Sequence, residues 1–497
     1  MADPDCDKRL DVLIRRDIPY DVLVEIFTYL MGPILFDQSA VSIDTGERRR
    51  AGALCRRWRE AMVATPALWS EFGVIVARCP GRPECLEGGC PYPKPVMENL
   101  CLFLARSEKY PLQIMFQAQS PGLSPLDIMP APLTVLLDHS DRWVSLKLPL
   151  GGVAHELGGV ADRRRDHYIL SYPGAPYHLL LPRLHHMPNL RSIWIRYLPS
   201  GSPGWQRVLS HLLCPPTVAK NRKDGPEAVP LPHPYKLKLT SMTLWAAPDH
   251  DDTPVGLTRW SLPDPCKYVT SLKATFSPGV AVSVLGQMGS LVRASIHLAH
   301  TQSLDVGRGR CACPKLRELC VNLPSDKNLR PGGSMAGAYP HGYAGHLLDG
   351  ISCPVLESFA LVNPWGRLKP FGNPVPSRDK FIPRDICSLL TLSPRLKELR
   401  LSGIPLHTAH IVEILEIAAT LISLELVEQR EGRYSATERV VTQDLCEWLG
   451  DATNLPRLQK LHLGIVSGIE DADRIMSTLE RRGGAERVQF RHFEPGL

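Results

Sequence analysis

At 497 residues the chain is too long for one compact core and calls for two or three domains or a repeat array. It is 44% hydrophobic and 22% charged, as ordinary globular proteins are, and its net charge of +6 is too dilute to make a nucleic-acid-binding face. The 14 cysteines raise the question of disulfides, but "MADPDCDKRLDVLIRRD" has no apolar signal core and no apolar run reaches the ~18–20 residues of a membrane span, so free thiols in the cytosol and/or nucleus are expected.

The first element is "IPYDVLVEIFTYL", residues 18–30. Pro19 suits a first helical turn and Asp21 and Glu25 favour the positive end of the helix dipole. Ile18, Val22, Leu23, Ile26, Phe27 and Leu30 recur at helical steps and form one apolar stripe, which Met31-Gly32-Pro33 terminates. A second helix is expected in "ERRRAGALCRRWREAMVATP", with Ala51, Leu54, Cys55, Trp58, Ala61 and Met62 on its apolar face and arginines on the rest. "PALWSEF" closes the unit through Leu68, Trp69 and Phe72. About 50 residues make a thin core, which often needs a further surface to cover it.

These residues resemble an F-box: Pro19, Leu23, Ile26, Phe27 and Leu30, then Cys55 and Trp58, then Leu68 and Trp69, in the family's order. Ile18 replaces the usual leucine, and the Met31–Glu47 loop is longer than usual. The resemblance covers roughly residues 17–72. It implies a three-helix unit docking a Skp-type adaptor, and through it a cullin scaffold, with Ile18, Pro19, Leu23, Ile26, Phe27, Leu30, Leu54, Trp58, Leu68 and Trp69 as the adaptor-binding set.

The next segment, "ARCPGRPECLEGGCPYPKP", spaces Cys79, Cys85 and Cys90 as C-x5-C-x4-C. Structural zinc sites pair ligands two to four residues apart, so a loop with free cysteines is expected. "VMENLCLFLARSEKYPLQIMFQ" returns to regular structure, with Val96, Leu100, Phe103 and Leu104 on a helical face and "PLQIMF" as a strand.

From residue 141 one spelling, L-x-x-L-x-L, recurs: "DRWVSLKL" (141–148), "MPNLRSIWI" (187–195), "YKLKLTSMTL" (235–244), "VTSLKATF" (269–276), "CPKLRELCVNL" (313–323), "CPVLESFAL" (353–361), "SPRLKELRLSG" (393–403), "TLISLELVE" (420–428) and "LPRLQKLHLG" (455–464). The lead leucines Leu316, Leu356, Leu396, Leu421 and Leu458 stand 40, 40, 25 and 37 residues apart. Helical stretches lie between them, including "GHLLDGI", "RDICSLLTL" and "IVEILEIAAT" with Ile411, Ile414, Leu415 and Ala418 on one face. A strand-then-helix unit that cannot bury its apolar side alone must stack on its neighbours. The pattern resembles irregular leucine-rich repeats; the alternative is ordinary strand–helix alternation in an α/β domain. With the N-terminal motif it also resembles the large F-box families of mushroom-forming fungi.

Insertions at 214–234, 245–260, 328–345 and 363–380 read as loops, and loops on a rigid array often carry binding. Trp245, Trp260, Tyr343 and Trp365 are the candidate target contacts there, since aromatic residues dominate interaction hot spots. His297/His300 and His407/His410 are spaced three apart, but neither pair sits in an H-E-x-x-H motif. G-x-S-x-G and G-x-x-x-x-G-K-[ST] are absent from the sequence. The arginine runs 48–50 and 163–165 lack interleaved aromatics and read as solvated faces.

The expected fold class is α+β: a small N-terminal three-helix F-box followed by an α/β leucine-rich-repeat-like solenoid. The expected divisions are a tail at 1–16, the helical domain at 17–72, a cysteine/proline-rich link with a helix and strand at 73–140, and a target-binding solenoid at 141–497. The expected function is that of a non-catalytic substrate receptor of a cullin-RING ubiquitin ligase, without metal or cofactor, joining a Skp-type adaptor to a protein target, with neither membrane nor nucleic acid as partner. A repeat scaffold without a ligase role, and a hydrolase whose site is built from distant residues, are the alternatives.

Overall fold

The computed structural model describes residues 18–37, 46–76, 94–118, 130–150, 187–197, 239–246, 264–298, 310–323, 340–363, 382–404, 406–428, 441–466 and 488–493. The chain forms two compact units, Met1–Leu198 with Ser202–Leu239, and Pro199–Gly201 with Thr240–Leu497. No helix among the described residues is long and apolar enough to cross a membrane.

The first unit contains helices α1 (Tyr20–Leu30), α2 (Gly46–Leu54), α3 (Arg56–Val63), α4 (Lys94–Arg106) and α5 (Pro130–Leu137). Its strands are β1 (Ile34–Asp37), β2 (Glu71–Val76), β3 (Leu112–Ala118), β4 (Trp143–Leu150) and β5 (Ser192–Tyr197), all parallel and paired in chain order. One row of the register reads Ile34, Phe72, Ile114, Leu146, Ile193, and every member is buried. The other inward positions, Phe36, Val74 and Phe116, are buried as well. The parallel ladder thus begins at Ile34, N-terminal to the first L-x-x-L-x-L spelling at 141–148. The segment 17–72 is therefore not purely helical, because "ILFD" and "EFGVIV" pair as strands.

The single second helix expected over the Arg-rich stretch is two helices. Cys55, at φ −158° and ψ 166°, is extended and ends α2; its Sγ then accepts from the Trp58 backbone N–H at 3.5 Å as the N-cap of α3. The Cys-x-x-Trp spacing is the spacing of a cap, which a count of apolar positions reads straight through.

The second unit carries β6 (Ser241–Ala246), β7 (Ser271–Phe276), β8 (Arg293–Leu298), β9 (Cys311–Ala312), β10 (Glu318–Asn322), β11 (Ile351–Ser352), β12 (Ser358–Val362), β13 (Glu398–Ser402), β14 (Ser423–Val427), β15 (Lys460–Val466) and β16 (Val488–Phe493). Its helices are α6 (Pro278–Gln287), α7 (Pro340–Asp349), α8 (Ile382–Thr391), α9 (Thr408–Ile417) and α10 (Gln443–Gly450), each packed on the next. The main sheet runs β6-β7-β8-β10-β12-β13-β14-β15-β16, and β9 pairs β11 separately.

Two apolar rows cross this sheet in register. One is Leu272, Ala294, Leu319, Phe359, Leu399, Leu424 and Leu461; the other is Ala274, Ile296, Val321, Leu361, Leu401, Leu426 and Leu463. All are buried against the helical layer, as a period-two pattern requires when one face is covered. A repeated turn precedes β8, β10, β12, β13, β14 and β15: the N–H groups of Leu291, Leu316, Leu356, Leu396, Leu421 and Leu458 bond the carbonyls of Met288, Cys313, Cys353, Ser393, Ala418 and Leu455 at 3.0–3.3 Å. The lead leucines 316, 356, 396 and 421 are buried as expected, whereas Leu458 is half-exposed. Leu455 fills that corner instead, where the other repeats hold methionine, cysteine, serine or alanine.

Candidate functional site

Two surfaces in this chain are candidates for recognition: the helical layer of the first unit and the open sheet face of the second. The sequence assigned the first to an adaptor and placed the target contacts on inserted loops of the repeat body; the structure redistributes these residues.

In the helical layer, α1 packs on α3. Phe27 meets the Trp58 ring edge-on at 5.1 Å. Trp69 donates Nε1–H to the Met62 carbonyl at 2.8 Å and stacks on Phe103 at 5.0 Å. Arg57 donates from Nη2 to the Ile18 carbonyl at 2.7 Å, which ties the start of α1 to α3. Leu23, Phe27, Leu68 and Trp69 are buried in this core, so four of the ten residues assigned to an adaptor shape the helical layer from inside and offer almost no surface. Ile18, Ile26 and Trp58 are half-buried, and Pro19 is exposed. Leu30 and Leu54 are 60% and 55% exposed. Tyr29, 90% exposed, with Tyr20 and Val22, was not among the assigned residues. Only its place beside the stripe, one step from Leu30, could have flagged it.

On the open face of the second unit, residues alternate with the buried rows. The central row reads Thr243, Lys273, Ser295, Cys320, Ala360, Arg400, Glu425 and His462. Small residues occupy its middle, flanked by Lys273 on one side and by Arg400 on the other, where Arg400 Nε pairs Glu425 at 3.2 Å. At the strand entrances Glu357 accepts from Lys397 Nζ at 3.1 Å with Arg317 at 3.9 Å; the Lys397 hydrogen bond holds its carboxyl below the usual range. Burial, aided by the Lys273 charge, pushes the half-buried His297 imidazole below its ordinary value. The Cys320 thiol is raised by burial, against the pull of Asn322 and Ser295.

Of the four aromatic target candidates, Trp260 and Trp365 lie outside the described residues. Trp245 falls in β6 and Tyr343 in α7, so both belong to regular elements at those positions, not to the loops expected at 245–260 and 328–345. Cys79, Cys85, Cys90 and His300 also lie outside the described residues. His407 and His410 hold their rings 5.6 Å apart at the start of α9. Among the described residues no group of three or more His, Cys, Asp or Glu is placed to hold a metal ion.

The described cysteines are free thiols. The hydrogen bond from Cys311 lowers the Cys313 thiol, but its bond to Cys353 and its burial together lift it to about 12. Burial pushes Cys446 up to about 12 and Cys387 to about 11. Thiols so placed stay protonated and pack as small apolar groups.

The recurring L-x-x-L-x-L strand, its parallel ladder and the helices stacked on one another between many of the strands make this a leucine-rich-repeat-like α/β protein. No protein-family model matches the chain, and no curated protein sequence matches it. Among solved structures, an internalin (inlF) from Listeria monocytogenes str. 4b F2365 aligns at 11% identity and a TM-score of 0.28, over 95% of this chain and 94% of that one. The TLR13–ssRNA13 complex aligns at 13% identity and a TM-score of 0.28, over 77% of this chain and 45% of that one. Neither likeness carries a statement about ligands.

Proposed function

We propose that this chain is a repeat-based protein-interaction receptor whose N-terminal helical layer docks a Skp-type adaptor and whose open sheet face holds a protein target, within a cullin-RING ubiquitin ligase. The carrying observation is the apolar surface left uncovered on the helical layer at Tyr29, Leu30 and Leu54, beside the F-box-like residues. Its contribution is proximity: holding a target near a ubiquitin donor raises effective concentration without a chemical group of its own.

The test is co-purification of the full chain with a Skp-type adaptor. Leu30→Glu and Leu54→Glu are the informative variants, because exposed positions tolerate substitution within about 0.5 kcal/mol. Leu23→Asp and Phe27→Asp would instead place an unpaired charge in the core at a cost of several kcal/mol and unfold the layer. Retained fold with lost adaptor binding supports the ligase reading. Wild type that fails to bind the adaptor removes it.

A second reading is favoured by one specific observation. The core of α1 and α3 is joined to the end strand β1 of the first unit's sheet through Trp69, which stacks on Phe103, and Phe103, whose ring lies 6.2 Å from that of Phe36, as a cap on a repeat stack would be. On that reading the chain is a repeat scaffold whose helical layer closes its first repeat and has no part in ubiquitin transfer.

A further inference from the structure

In the first unit a groove of about 420 Å³ opens beside α2, α3 and α4. Its base is apolar, formed by buried Met62, Trp69 and Phe103, and exposed Leu102 stands at its lip. Arg48, Arg59 and Arg106 line it, and none of the lining residues is acidic. Each guanidinium is fixed by a separate contact. Buried Arg48 donates from Nη2 to the Gly32 and Leu68 carbonyls at 2.7 and 3.1 Å. Arg59 donates from Nε to the Gly52 carbonyl at 3.0 Å. Arg106 lies over the Trp69 ring, 4.6 Å from its centroid. The carboxylates of α3 and α4 are engaged with other cations: Glu60 with Arg56 at 2.6 Å and Glu98 with Lys94 at 3.6 Å. Arg59 and Arg106 present like charges to one groove whose lining holds no acidic residue.

We propose that this groove binds a short acidic peptide segment of a partner protein, its carboxylates meeting Arg59 and Arg106 and an adjoining aliphatic side chain lying against Leu102 and Phe103. The cationic lining selects an anion. The apolar base selects one that carries hydrocarbon beside its charge, and so a peptide over a free inorganic anion. Trp69 and Phe103 stack on each other and are only 4% and 6% exposed, which leaves no aromatic face open to a nucleobase and argues against a single-stranded nucleic acid. The proposal uses none of Tyr29, Leu30 and Leu54, the exposed residues that carry the adaptor reading.

The experiment is fluorescence anisotropy with a fluorescein-labelled hexapeptide alternating aspartate and leucine, titrated with the full chain, beside its lysine–leucine counterpart. Saturable binding of the acidic peptide alone is expected. Arg59→Glu/Arg106→Glu should weaken it at least about tenfold. Leu102→Glu should do the same, since it plants a carboxylate at the exposed lip and leaves the core untouched. Arg293→Glu, on the open face of the second unit, should leave the affinity unchanged. Circular dichroism on each variant shows which are folded, and Leu102→Glu keeps the test decisive if the double variant is not. The proposal is overturned by equal binding of both peptides, by no binding to folded wild type at millimolar concentration, by full affinity in folded Leu102→Glu, by loss confined to Arg293→Glu, or by displacement of the peptide by oligothymidylate but not by unlabelled acidic peptide.

Discussion

Replacing Asp385 by asparagine should stabilise this protein at neutral pH. Asp385 lies in the first turn of α8, packed against α7. Gly345 of α7 leaves room for it, since a Cβ there would run into the Asp385 carboxylate. Burial, then the neighbouring Asp349 charge, raises the Asp385 carboxyl from 3.8 to about 6, with Arg384 opposing. Asp349 itself pairs Arg310 at 2.6 Å. Because the folded value lies above the unfolded one, the folded chain holds a proton that the unfolded chain has released between pH 3.8 and about 6. The stabilising contribution is complete below that window and is lost as pH rises through it. Taken in full, the shift corresponds to about 3 kcal/mol. The helix N-terminus returns ~0.3–1 kcal/mol to the charged form. Partial exposure screens more. The expected gain for Asp385→Asn is therefore about 1–2 kcal/mol at pH 7.5, shrinking toward zero below pH 4. Urea denaturation of the full chain, followed by circular dichroism at both pH values, reads it. If the variant is less stable by the same amount at both, the carboxylate serves as a hydrogen-bond acceptor and the charge argument is wrong.

Two further outcomes follow from the second unit. Gly403 has φ +68°, and a Cβ there would press on the Asn363 backbone oxygen and Cβ at 3.0 and 3.2 Å; Gly403→Ala should cost about 1–3 kcal/mol, and an unchanged urea midpoint would contradict the strain. His297 should titrate below 6.5 by NMR, so protonating it disfavours the fold and its contribution is lost as pH falls below that value; Lys273→Gln should raise its pKa part of the way, and a titration at or above 6.5 in wild type would refute the assignment.

The sequence by itself determined the ladder. A leucine two residues before a strand, and two more apolar residues alternating along it, allow one arrangement with a covered face, which is why 313–323, 353–361, 393–403 and 420–428 became β10, β12, β13 and β14 with the lead leucines buried. The faces of α4 and α9 were legible for the same reason: Val96, Leu100, Phe103 and Leu104, and Ile411, Ile414, Leu415 and Ala418, are all buried. Where the spelling lapses, the reading failed. β8 carries Ala294 where its neighbours carry leucine or phenylalanine, and the ladder accepts it because register, not side-chain size, fixes the pairing. Nor did the pattern disclose β1, since four residues are too few to show a period.

Only the tertiary structure decided which side of an apolar stripe faces inward. Leu23 and Leu30 sit on one helical stripe and are equally apolar, yet one is buried and the other is 60% exposed, because the α3 and Trp69 layer reaches only part of α1. Likewise, Arg48, Arg59 and Arg106 are separated by up to 58 residues in the chain, where the run 48–50 reads as a solvated face. The fold of α2, α3 and α4 gathers them around one groove, since where a helix ends and what it packs on depend on contacts distant in sequence, which no local period encodes.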